Sequence, residues 1–158
     1  MIILHQSQLK LEKMIKTLID IALSQYGTTE KVGSLHNPVI VNYFKEIGYQ
    51  WVKNDEMAWC SAFANWVAFK ANKKASGKLN ARSWLRVGKK KTRPSVGDIV
   101  IFWREAKNSW KGHVGFFIGY SEDRKKIYCL GGNQNNQVNI KAYPAYRLLG
   151  FRELIPSP

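Results

Sequence analysis

The hydrophobic spacing changes period near residue 98, and this constrains the fold more than any other feature of the chain. Before that point the spacing is helical. Leu11, Met14, Ile15, Leu18, Ile19, Ala22 and Leu23 recur at three- and four-residue steps within Leu9 to Tyr26, and Gly27 stands where a helix would stop. A shorter helix is predicted over 38–47, ending near Gly48. A third starts close to Cys60 and runs to about Asn72. It is apolar on most sides, with Ser61, Asn65 and Asn72 as a narrow polar stripe, as expected of a helix buried in the centre of a domain. After residue 98 come short runs rich in Ile, Val, Phe and Tyr: DIVIFW (98–103), HVGFFIGY (113–120), KIYCLGG (126–132) and QVNIKAY (137–143). LLGFREL adds a last strand. The first two runs are nearly continuous in apolar residues, which suits central strands covered on both faces. Helices first and strands later predict an α+β fold. The stretch between, 75–97, reads as basic and irregular, with a short helix at 81–87.

With 158 residues, the chain fits one domain, 1–158, with a sizeable core and no separate binding module. No apolar run approaches the roughly 20 residues that cross a bilayer. The first residues, MIILHQSQLKLEKMIK, make a poor signal peptide, so synthesis in the cytoplasm is expected. Two cysteines do not make a disulfide framework, and three scattered histidines with no CxxC pair make no zinc site. No metal or cofactor is expected. The net charge is +14, which implies an anionic partner: nucleic acid, membrane or wall polymer.

The chemistry centres on DEMAWCSAFANW, which holds the first cysteine. Cys60 falls at the first turn of the third helix, near orphan backbone N–H groups and the positive end of the dipole. Both favour a thiolate, and the same amides could hold an oxyanion. Cysteine is also among the most buried residue types, so position alone leaves a core role open. His113 opens a strand in GHVGF, where an imidazole can face a cleft, and Asn133 ends the next strand in GGNQ, where its amide oxygen can accept an imidazole N–H. Thiol, imidazole and polar acceptor come in the chain order of a papain-like thiol hydrolase.

These motifs resemble the CHAP family, the cysteine, histidine-dependent amidohydrolases/peptidases of the papain-like NlpC superfamily. The resemblance is carried by SQYGTTEKVGSLHNPVIVNYF, DEMAWCSAFANWV, ARSWLRVGK, RPSVGDIVIFWR, GHVGFFIGY, YCLGGNQNNQVNI and YRLLGFR, from Ile21 to Arg152. It implies a papain-like fold and peptidoglycan hydrolysis at an amide bond, either muramyl–peptide or within the stem or cross-bridge. It casts Cys60 as nucleophile, His113 as base and Asn133 as the orienting group. Many CHAP proteins carry a Glu two residues before that Asn; here the position is Gly131. Peptidoglycan and anionic wall polymers become the expected partners, reached by release through a partner pore (a holin) or by injection alongside an immunity protein. Trp84, Trp110 and Asp55 are candidates for substrate contact, while Trp59 and Trp103 are expected in the core. Two other readings stand beside this one. A basic nucleic-acid-binding module would bind without Cys60, although no nucleic-acid motif is seen. A papain-like acyltransferase would use the same triad.

Overall fold

The computed structural model describes residues 2–31, 36–53 and 58–158. Three helices precede a six-stranded antiparallel sheet, the α+β arrangement that the change of period predicts. Helix α1 (Ile2–Ser24) begins before Leu9, and no Gly or Pro interrupts IILHQSQ. It buries Leu18 and Ala22, four residues apart on one face. Helix α2 (Pro38–Glu46) starts where Asn37 accepts a hydrogen bond from the Val39 N–H at 2.9 Å, with Pro38 supplying a φ already suited to the first turn. Gly48, at φ +99°, turns the chain away at its end.

Helix α3 (Cys60–Lys70) lies in the middle of the fold. Ala62, Phe63, Ala64, Val67 and Ala68 are fully buried. Of its expected polar stripe Ser61 and Asn65 are buried too, with their hydrogen bonds made, while Asn72 is exposed beyond the end of the helix at Lys70. Ser61 Oγ donates to the Lys78 carbonyl at 2.6 Å, and Asn65 donates to the same carbonyl at 3.0 Å and accepts from the Gly77 N–H at 2.8 Å. A buried amide left without partners would cost about 1–3 kcal/mol, so this clamp fixes the 76–78 loop to the helix. The predicted short helix forms as a 3-10 turn, Ala81–Arg86.

The strands are β1 (Lys89–Lys91), β2 (Ile99–Trp103), β3 (Gly112–Tyr120), β4 (Lys126–Gln134), β5 (Gln137–Pro144) and β6 (Leu148–Glu153), in the spatial order β1-β6-β2-β3-β4-β5. The two apolar runs, β2 and β3, are central as expected. Strand β1 was not expected: it lies in the stretch read as irregular and pairs Lys89, Lys90 and Lys91 with Glu153, Arg152 and Phe151 of β6. Lysines on an edge strand oppose further pairing. The two faces of the sheet bury separate clusters. Val114, Phe116, Leu130 and Ile101 pack under the helices. Val100, Phe102, Phe117, Cys129 and Phe151 pack on the far face, with Tyr120 and Tyr143 against them. Among the described residues no helix is long and apolar enough to cross a membrane.

Candidate active site

Cys60 is the first residue of α3, and only 6% of its surface is exposed. Burial pushes its thiol pKa up, while the backbone N–H groups of Val114, Ser61 and Cys60 itself, together with the nearby Arg104 guanidinium, pull it back down. The helix start therefore supplies the expected donors, but desolvation outweighs them, and the resting group is a thiol rather than the thiolate that the dipole argument favours. The Val114 amide comes from β3, one residue beyond His113, so the sulfur meets the sheet beside the imidazole's strand position.

His113 is also buried, and desolvation is the main cause that lowers its pKa to about 4. The Gln134 hydrogen bond opposes that shift; Arg104 and Lys141 reinforce it. Both members of the pair are thus neutral at pH 7. Tyr143 stacks on the imidazole at 4.9 Å between ring centroids and on Phe102 at 4.7 Å, fixing the plane of the ring.

The side chain that meets His113 is Gln134, not the expected Asn133. Gln134 Oε1 lies 2.9 Å from His113 Nε2. The orientation of this amide is set by its other end. Gln134 Nε2 faces three oxygens: the Cys129 carbonyl at 3.2 Å, the Asn139 carbonyl at 2.7 Å and Asn139 Oδ1 at 2.9 Å. Oε1 must therefore face the imidazole as an acceptor, and neutral His113 carries its proton on Nε2. That leaves the lone pair on Nδ1.

The displacement of Asn133 has a backbone cause. Asn133 sits at φ +57°, a left-handed conformation that Asn tolerates better than most residues, and the β4–β5 register shifts between Gly131 and Gln134. One residue is taken out of the alternation, so Gln134 lies over the face of Gly131. A Cβ on Gly131 would stand 2.7 Å from Gln134 Oε1 and 3.3 Å from His113 Nε2. Where many CHAP proteins have Glu, this chain has an absent side chain with a glutamine amide in its space. Asn135 and Asn136 follow with φ +52° and +62°, the positive pair that a two-residue hairpin turn requires.

A cleft of about 380 Å³ opens at His113, lined among others by Trp103, Arg104, Asn133, Lys141, Tyr143 and Arg147. Trp84 cannot stack on a substrate: it is fully buried, and its Nε1 donates to Ser61 Oγ at 2.9 Å because the 3-10 turn packs its inner side against α3. Trp103, expected in the core, instead forms cleft wall at the end of β2, while Trp59 is fully buried as expected. Trp110 is 73% exposed, carries Lys111 Nζ 5.7 Å from its ring and does not line the cleft. Asp55 lies outside the described residues. Sequence reasoning missed Gln134, Tyr143, Arg104 and Arg147. The adjacency of Gln134 to Asn133 in GGNQ was the one signal for the first, and a run of three asparagines around it marked the local break in alternation.

The comparisons bear on the family and the fold. A family model described as the CHAP domain matches residues 52–133, just over half of the chain. No curated protein sequence matches. Among solved structures, the chain is similar to one described as similar to a lipoprotein of the NLP/P60 family, from Staphylococcus aureus subsp. aureus Mu50. The TM-score is 0.52 and the identity 17%, over 90% of this chain and 42% of that one, so the chain spans less than half the length of that protein. At that identity the likeness is one of fold.

Proposed function

The chain belongs to the CHAP domain family, and on that premise we propose that it hydrolyses an amide bond of peptidoglycan through the Cys60 thiol and the His113 imidazole. What supports the reading is Cys60 at the first turn of α3 with three backbone N–H groups at its sulfur, one of them from Val114, the neighbour in sequence of His113, whose tautomer Gln134 fixes. In the mechanism, Cys60 Sγ attacks the amide carbonyl while its proton passes to His113 Nδ1. The oxyanion forms against backbone N–H groups of the first turn of α3. His113 gives that proton to the departing amine nitrogen, the C–N bond breaks, and a thioester remains. Water then adds to the thioester as His113 takes its proton; the acid leaves, and the proton returns to the sulfur. Gln134 holds the Nε2–H, so that Nδ1 is available at each step.

A neutral pair suits this order, because charge develops only as the bond forms, and Arg104 lies near the sulfur where negative charge would otherwise build up. The net charge of +14 supports attraction to anionic wall polymers. In this reading the enzyme reaches the wall after release through a partner pore or after injection, and a neighbouring immunity gene marks the second route. Purified sacculi treated with wild-type protein should lose turbidity and release muropeptides with a new free amine, read by mass spectrometry. Cys60→Ala should keep the circular dichroism spectrum and release none. Wild-type release by that variant sinks the thiol mechanism. Products joined to an added amine instead of water would reassign the chain as an acyltransferase.

A further inference from the structure

The cleft beside His113 has an uneven charge. Arg104 follows β2, Lys141 lies in β5, and Arg147 closes the short 3-10 turn Ala145–Arg147 before β6. Three separate elements thus bring three cations to one cleft of about 380 Å³, and no described carboxylate lines it. None of the three has an acidic partner among the described residues. Glu105, next to Arg104 in sequence, is paired instead with Lys111 Nζ at 2.7 Å. Lys141 Nζ has only the neutral Asn135 Oδ1, at 3.3 Å, and the Tyr143 ring, at 5.5 Å. Arg147 lies with its guanidinium carbon 5.1 Å from the Trp103 ring and 5.8 Å from the Tyr146 ring, and its buried Nε has no hydrogen-bond partner.

This arrangement works against the base. Arg104 and Lys141 both disfavour the imidazolium that amide cleavage must form at His113. Cations kept unpaired beside a group they hinder are explained by a ligand that pairs them. The Arg147 guanidinium is held within cation–π range of two rings, which limits its motion and places its donors at the cleft.

We propose that Arg104, Lys141 and Arg147 form a subsite for a free carboxylate of the substrate, close to the amide to be cleaved. This rests on the hydrolase reading for the identity of the ligand: a wall peptide with an ionised carboxyl group. Binding that carboxylate neutralises the field on His113 as the substrate arrives, so the imidazole becomes a better base only when the cleft is filled. Substrate with that carboxyl converted to an amide loses both the ion pair and this relief.

The test separates binding from hydrolysis. Folded Cys60→Ala protein is titrated by calorimetry with a soluble stem peptide bearing free carboxylates, and with the same peptide as its carboxamide. The amidated form should bind at least about tenfold more weakly, the loss expected for charge-assisted hydrogen bonds. Arg104→Gln with Lys141→Gln, in the Cys60→Ala background, should bind the two forms within about twofold of each other. Equal affinity of Cys60→Ala for the two peptides, or no detectable binding of either, overturns the subsite. Those outcomes do not bear on whether wild-type protein lyses sacculi, which is read separately.

Discussion

The chain carries two thiols, both unbridged and both buried, and their surroundings differ. Cys60 opens a helix and has three backbone N–H groups at its sulfur, one of them from the strand that bears His113. Cys129 lies inside β4 with its sulfur pressed to the backbone of Gly115: a Cβ there would come within 2.3 Å of it. One backbone N–H, from Phe116, reaches Cys129, and both burial and the nearby Cys60 push its pKa well above the usual thiol range. Desolvation acts on both sulfurs in the same direction, so burial does not separate a reactive cysteine from an inert one. What differs is the donor set: three backbone N–H groups at Cys60 against one at Cys129, which is the contrast the proposed mechanism uses.

The strongest test of that contrast is substitution. Cys60→Ala should bring sacculus lysis to background, while Cys129→Ala should keep at least half of the wild-type rate and lose about 1 kcal/mol of stability. Faster alkylation of Cys129 than of Cys60 in the native protein would break the comparison. Next, His113→Ala should lower the turnover rate by about 10²–10⁴-fold, the usual share of a general base, with folding unchanged by circular dichroism.

The environment that raises the thiols also holds His113 neutral, and stability should report it. Unfolded, the group titrates near 6.5; folded, at about 4. Between those values the unfolded chain binds a proton that the folded one does not, so stability falls as pH drops from 6.5 to 4 and this contribution levels off below 4. The full effect is about 3 kcal/mol. Urea unfolding at several pH values should show a steeper acid slope for wild type than for His113→Asn. Equal slopes would mean that the imidazole is not buried as described.

Packing at the inert thiol gives a somewhat smaller signal. Gly115→Ala should cost about 1–3 kcal/mol by overpacking against Cys129, and Cys129→Ala in the same chain should restore part of it in thermal melts. Additive losses would show that the sulfur is not what Gly115 accommodates. Finally, Gln134→Leu should reduce turnover by about tenfold, the equivalent of one lost hydrogen bond, and Gln134→Glu should move the acid limb of the rate profile to higher pH by stabilising the imidazolium. An unchanged profile in Gln134→Glu would return the orienting role to another residue.

Most of the fold was legible because it is written in spacing. Residues three and four apart marked α1, a segment apolar on most sides marked α3, and apolar runs between turn residues marked β2 to β6. The placement of Cys60 at a helix start and of His113 at the second residue of a strand was legible for the same reason. Strand β1 was not, because three lysines show no hydrophobic pattern and the strand is made by backbone pairing to β6 alone. Gln134 was hidden by the left-handed residue before it: a shift of one in β4 exchanges faces, and alternation gives no warning of a shift set by backbone conformation. Trp84 and Trp103 were assigned the wrong way round, since a 3-10 turn buries one side and a strand end exposes what strand interiors hide. The cationic cleft was invisible because its three members lie in different elements.

Gly131 and Gly132 are adjacent, and each lacks a side chain for a different neighbour. A Cβ on Gly132 would come within 2.7 Å of the Trp59 ring and 2.8 Å of Phe63 Cβ, while one on Gly131 would strike the Gln134 amide. At this point only the thickness of a peptide backbone separates the helix that carries the thiol from the hydrogen bond that aims the imidazole. The pair of glycines is thus a rigid mechanical link. Between α3 and the Gln134–His113 hydrogen bond there is glycine backbone and no side chain. If Cys60 and His113 act as proposed, a ligand that presses on the start of α3 should alter both through this one contact.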